Sequence, residues 1–157
     1  NPSETEGVVI CDSKFQRVKV KSVGYVAASR IKDSVSKSPR SLIALILSGK
    51  EDDVIAMSTD DIKAKITEAK NKVSALFKTI DRNYAYFVDE VNSQHYSDKV
   101  KRKVFASLVT ENKVKLSDFY YAKFSGKVDS IEAYIDKQTN KAGEFNDSFL
   151  DRILESI

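Results

Sequence analysis

After Gly49 the chain carries no glycine or proline until Gly126. A stretch that long without either breaker is open to helix along its whole length. Its apolar pattern asks for helix as well. Ile62, Ile66, Ala69, Val73, Leu76, Ile80, Tyr84, Phe87 and Val91 follow one another at steps of three or four. The mean step is about 3.6 residues, the period of an amphipathic helix in a globular protein. Ser58-Thr59-Asp60-Asp61 supplies the start, with acids placed to complement the helix dipole. Such a helix would be about 50 Å long at about 1.5 Å per residue. Asp81-Arg82-Asn83 is the place to expect a break.

Other helices are expected on both sides. Ser38-Pro39 has the N-cap and first-position residues of a helix start, and Gly49 stands where a helix closes. Between them lie Leu42, Ile43, Leu45, Ile46 and Leu47. Further on, residues 97–111 form a helix with Val100, Val104 and Leu108 as its seam. Ser117 opens an aromatic helix that ends at Gly126, and Phe119 and Phe124 are expected in the core. Residues 129–137 carry Ile131 and Ile135. Residues 144–157 place Phe145, Phe149, Leu150, Ile153 and Leu154 on one side.

The first part of the chain has a different grammar. Residues 5–11 and 15–22 read as strands joined by a turn at Asp12-Ser13-Lys14. Val8, Val9, Ile10 and Cys11 are all apolar, as in a strand buried on both faces, which would make Cys11 inert. Arg17, Lys19 and Lys21 alternate with Val18 and Val20, so period two puts the three cations on one face. Tyr25-Val26-Ala27 is a candidate third strand. The expected fold class is therefore mainly α: an all-helical domain over residues 38–157, preceded by a β stub within residues 1–37. The chain opens on Asn1 and reaches strand sequence almost at once, so it is expected to begin inside something larger.

Composition narrows the function classes. The 157 residues are 41% hydrophobic and 31% charged, a globular balance rather than a disordered one. No apolar run is long enough to span a membrane, and no signal peptide is visible. One cysteine excludes an internal disulfide and fits a reducing cytoplasm. The net charge of +3 is unevenly spread. Residues 1–50 hold 9 Lys/Arg against 4 Asp/Glu, and residues 97–127 hold 8 against 3. These two basic blocks are candidate polyanion faces, or ordinary solvated surface.

Individual residues carry further possibilities. Glu6, beside Gly7, is either a cation ligand or a solvated edge residue. Arg17, Lys19 and Lys21 form either a phosphate-binding row or the outer face of a sheet. Lys99, Lys101, Arg102 and Lys103 form a dense basic run, extended by Lys113, Lys115, Lys123 and Lys127. Tyr96, Tyr120 and Tyr121 are interspersed. Lysines neutralise phosphates and tyrosines stack on unpaired bases, so this block suits RNA. His95 has no visible catalytic partner and reads as a structural or surface residue.

Glu-Gly-Val-Val at residues 6–9, followed by Lys-Val-Lys at residues 19–21, resembles the fourth and fifth motifs of the covalent nucleotidyltransferases. Lys-Ser-x-x-Tyr-Val, Lys-Asp-Ser, Ser-Pro-x-x-Leu and Gly-x-x-Asp-Asp-x-x-Ala-Met follow. With them, residues 5–57 are similar to the ATP-dependent RNA ligases of the T-even bacteriophage tRNA-repair type. The resemblance implies catalytic roles for Glu6, Lys19, Lys21 and Tyr25. It implies that Lys19 and Lys21 contact the phosphates of ATP, and that Asp52 and Glu6 support Mg²⁺. Asp52 has a second interpretation, as one of an acidic cluster capping a helix. The implied partner is RNA, specifically tRNA with a cut anticodon loop, met by a monomeric protein in the cytoplasm (the host's, if phage-encoded).

The family's adenylated lysine sits in a Lys-x-Asp-Gly motif ahead of the fourth motif. No such motif occurs here; Lys32-Asp33 is followed by Ser34. The resemblance thus implies the carboxyl-terminal part of a ligase, inactive by itself. The helical character beyond residue 58 matches the helical tail of that family rather than the OB-fold of DNA ligases and capping enzymes. The alternative is a non-catalytic helical RNA-binding or protein-interaction module.

Overall fold

A computed structural model of the chain describes residues 7–22, 26, 29–30, 33–35 and 37–157. It is mainly helical, with a short two-stranded antiparallel sheet at the amino-terminal end. The strands are β1 (Gly7–Cys11) and β2 (Arg17–Lys21). The helices are α1 (Pro39–Leu47), α2 (Glu51–Ala56), α3 (Asp60–Asn92), α4 (Asp98–Glu111), α5 (Ser117–Phe124), α6 (Ile131–Asp136) and α7 (Asp147–Leu154). The chain packs as two compact units, Asn1–Lys70 and Asn71–Ile157. Helix α3 contributes its first part to one unit and the remainder to the other.

In the first unit the hairpin is organised locally. Asp12 accepts the backbone N–H groups of Lys14 and Gln16 on its Oδ1, both at 2.9 Å, and so shapes the turn. Pairing runs from Gly7 opposite Lys21 to Cys11 opposite Arg17. A Cβ on Gly7 would stand 2.0 Å from the Val20 carbonyl oxygen, so only glycine permits this approach. Burial on both faces of β1 is not found. Val8, Val9, Ile10 and Cys11 are all exposed. The reason is that apolar composition marks what a strand is able to bury, while burial itself requires a covering layer.

The third strand expected at residues 25–27 is also not found at its one described position. Val26 is helical and donates its N–H to the Ser22 carbonyl. Ser38 caps α1 through Ser41, and Gly49 follows with φ of +66°. A small aliphatic core joins Val35, Leu45, Val54, Ile62 and Ile66.

The second unit has an aromatic core. Phe87, Phe105, Phe119, Tyr120 and Phe149 are buried, and their rings meet edge-on or tilted in an almost continuous chain. Helix α3 is unbroken through Asp81-Arg82-Asn83. All its expected apolar positions are buried except Tyr84, which is half-buried against Phe105, Phe119 and Tyr120.

Helix α4 is turned by one residue from expectation. Phe105 and Val109 are its buried positions, Val104 and Leu108 are half-buried, and Val100 is exposed. Burying the Phe105 ring among other rings outweighs burying Val100. Among the described residues no helix is long and apolar enough to cross a membrane.

Candidate nucleic-acid interface

The antiparallel register settles the faces of the hairpin. Arg17, Lys19 and Lys21 lie on one face, opposite Cys11, Val9 and Gly7. Val8, Ile10, Val18 and Val20 lie on the other. All three cations are exposed. Glu6 and Tyr25 lie outside the described residues.

Asp52 is exposed in the first turn of α2, between Glu51 and Asp53. The cap residue itself is Lys50, which makes no side-chain cap bond. The acids therefore complement the first turn rather than cap it. Among the described residues, no three His, Cys, Asp or Glu side chains converge as a metal site. Glu51 turns inward. Its residue is 6% exposed, its Oε1 meets Lys70 Nζ at 2.6 Å, and its Oε2 has no hydrogen-bond partner. Burial raises the Glu51 carboxyl, but the hydrogen bond and charge of Lys70 outweigh it and leave the group below its ordinary value.

The basic run of α4 does not act as one block. Lys99 and Lys103 are exposed, and Lys101 is half-buried with its Nζ donating to Asn92 Oδ1 at 3.0 Å. Arg102 instead lines an open groove of about 530 Å³ beside α5. Lys127 and Tyr121 line the same groove. Phe105 and Phe124 form its stacked floor, with centroids 4.0 Å apart and planes 9° from parallel. Ala106 and Ala122 also face it, and larger side chains there would fill it. Tyr120 is fully buried, whereas Tyr121 is 42% exposed. Lys123 is drawn elsewhere, pairing with Asp81 at 3.7 Å and lying over the Tyr84 ring.

The groove also contains one acid, Asp118, whose charge is already matched. Arg152 of α7 grips both carboxylate oxygens, at 2.9 and 3.1 Å. The Tyr134 hydroxyl donates to the same carboxylate and accepts from Arg152 Nη2 at 2.7 Å. Burial first, and then Asp118, push the Tyr134 phenol up to about 12, against the pull of Arg152. Tyr134 therefore stays a neutral donor at ordinary pH. The charge that the groove offers to a ligand is that of Arg102 and Lys127.

The sequence alone does not single out Phe105, Asp118, Tyr134 or Arg152. Arg152 is the only Lys or Arg in residues 142–157, a faint signal at most. Compared with protein-family models, with curated proteins and with solved structures, the chain matches none.

Proposed function

We propose that this chain is the carboxyl-terminal part of an ATP-dependent RNA ligase that seals 3′-hydroxyl and 5′-phosphate RNA ends in tRNA repair, with the helical region contributing the RNA contact. The observation that carries this is the alignment of Arg17, Lys19 and Lys21 on one hairpin face, within the order Glu-Gly-Val-Val then Lys-Val-Lys. Adenylyl transfer moves negative charge onto phosphate oxygens. A row of cations held by a strand stabilises that charge without reorganising. Lys19 and Lys21 are assigned to the ATP phosphates, with Glu6 and Tyr25 completing the catalytic set. Mg²⁺ is commonly held by one or two carboxylates together with substrate phosphates and water. Asp52, exposed, and Glu6 supply donors of that kind.

The test is made on the whole protein that contains this sequence. A Lys-x-Asp-Gly ahead of Glu6 is expected in its coding sequence. Lys19→Ala and Lys21→Ala should each lower sealing of a nicked tRNA by about 10²-fold or more. Undiminished sealing by the double variant would remove the assignment. This chain alone, incubated with labelled ATP, should form no covalent lysine adduct.

A second reading, a non-catalytic helical RNA-binding module, is favoured by the aromatic and cationic groove of the helical unit. It predicts RNA binding by this chain with no Lys-x-Asp-Gly upstream.

A further inference from the structure

We infer that the groove between α4 and α5 takes one unpaired nucleotide of a single-stranded RNA, with the base on Tyr121 and the flanking phosphates at Arg102 and Lys127. This rests on the RNA-contacting half of the function proposed above and not on the ligase assignment.

Three observations point to this occupant. First, the size is right, because pockets for small ligands run from about 300 to 1,000 Å³ and this one is about 530 Å³. It is open rather than enclosed, so a unit within a longer strand is able to enter sideways. Second, its surface has the two chemistries of a nucleotide. Tyr121 leaves 42% of itself exposed beside a floor of stacked rings, and an aromatic ring accepts the face of any base. Arg102 and Lys127 are exposed on the same groove and supply the charge a phosphate needs.

Third, the one acid present is already paired with a cation. Asp118 is held by Arg152 and Tyr134. Of the cations of this region, Arg102 and Lys127 line the groove itself, while Lys101 and Lys123 turn to Asn92 and Asp81. An acidic peptide would share the charge preference but has no need of an exposed aromatic ring beside the cations. Duplex RNA keeps its bases stacked inside and has no free face to offer.

The experiment is fluorescence anisotropy of the intact chain with a labelled single-stranded oligouridylate, across a salt series. Tyr121→Ala should weaken binding by about 10-fold, and Tyr121→Phe, which keeps the ring, should restore it. Arg102→Ala and Lys127→Ala should each flatten the salt dependence by about 0.7 in the log–log slope. A duplex of equal length should bind more weakly than the strand.

Circular dichroism of each variant identifies loss of fold, and Tyr121→Phe carries the test if Tyr121→Ala unfolds. In that case Tyr121→Phe should bind as tightly as the native chain while the slopes of the two cation variants fall. Unchanged affinity in a folded Tyr121→Ala, unchanged slopes, preference for the duplex, or displacement by an acidic peptide but not by unlabelled strand would each overturn the proposal. In a triple Arg17→Ala, Lys19→Ala, Lys21→Ala background, whatever its own affinity, Tyr121→Ala should still weaken strand binding by about 10-fold. Failure of the ligase assignment and failure of the groove are thereby told apart.

Discussion

In the hairpin of residues 7–21 every residue is exposed, whereas in the helical unit from Asn71 onward Phe87, Phe105, Phe119, Tyr120 and Phe149 are each at most 1% exposed. The hairpin takes its form from local terms: the Asp12 turn, the close approach at Gly7, and a hydrogen-bonded register. The helical unit takes its form from rings removed from water. A two-stranded hairpin is at best marginally stable alone, because its backbone bonds barely offset the entropy of ordering it. The aromatic unit has a large hydrophobic driving term behind it. Geometry and stability are thus supplied separately, and the proposed phosphate row sits on the part with the less intrinsic stability.

The contrast is tested hardest by truncating one residue in each region. Phe119→Ala should cost about 3–5 kcal/mol of stability in chemical denaturation, since its ring meets Tyr84, Tyr120 and Tyr134. Val18→Ala, at a position 61% exposed, should cost less than about 0.5 kcal/mol. Equal costs would break the comparison. A smaller effect, more than about 1 kcal/mol and confined to the hairpin, is expected from Gly7→Ala. Hydrogen exchange should then speed up across residues 7–21 and stay unchanged in residues 71–157. Unchanged exchange in the hairpin would mean that the glycine is not needed there.

Two pH effects sharpen the comparison further. The Tyr134 phenol is raised in the folded state, from 10.0 to about 12. Its contribution to stability should be complete below about pH 10 and be lost as pH rises towards 12. Thermal melts of Tyr134→Phe should lack that part of the alkaline decline. An alkaline limb identical to the native one would count against the Asp118–Tyr134–Arg152 arrangement.

The second pH effect belongs to Glu51, whose carboxyl is lowered from its ordinary 4.5. Its contribution is present above about pH 4.5 and should be lost as pH falls through the lowered folded value. Glu51→Gln should blunt the acid limb of melts that report on the first unit. The hairpin has no share in either effect.

Much of the helical region is legible in the sequence alone. The apolar spacing from Ile62 to Val91 marks one face, and the signals at Ser38-Pro39 and Gly49 mark the ends of α1, because these are local properties of backbone and period. The seam of α4 was not legible. Choosing between Val100 and Phe105 depends on which rings wait on neighbouring helices. The acidic run Glu51-Asp52-Asp53 shows the same limit within three residues. Only contact with Lys70 distinguishes the buried carboxylate from the exposed ones.

The sequence by itself determined the helical class, the strand pair, and the side of that pair on which Arg17, Lys19 and Lys21 stand. Each follows from periodicity, which needs no partner. Only the tertiary structure decided that Arg102, Tyr121 and Lys127 share one groove, that Lys101 and Lys123 are occupied elsewhere, and that Asp118 is neutralised by Arg152. Those outcomes join residues up to 42 positions apart, Asp81 to Lys123. They are set by competition among side chains for burial and for counter-charge, which no short stretch of sequence contains.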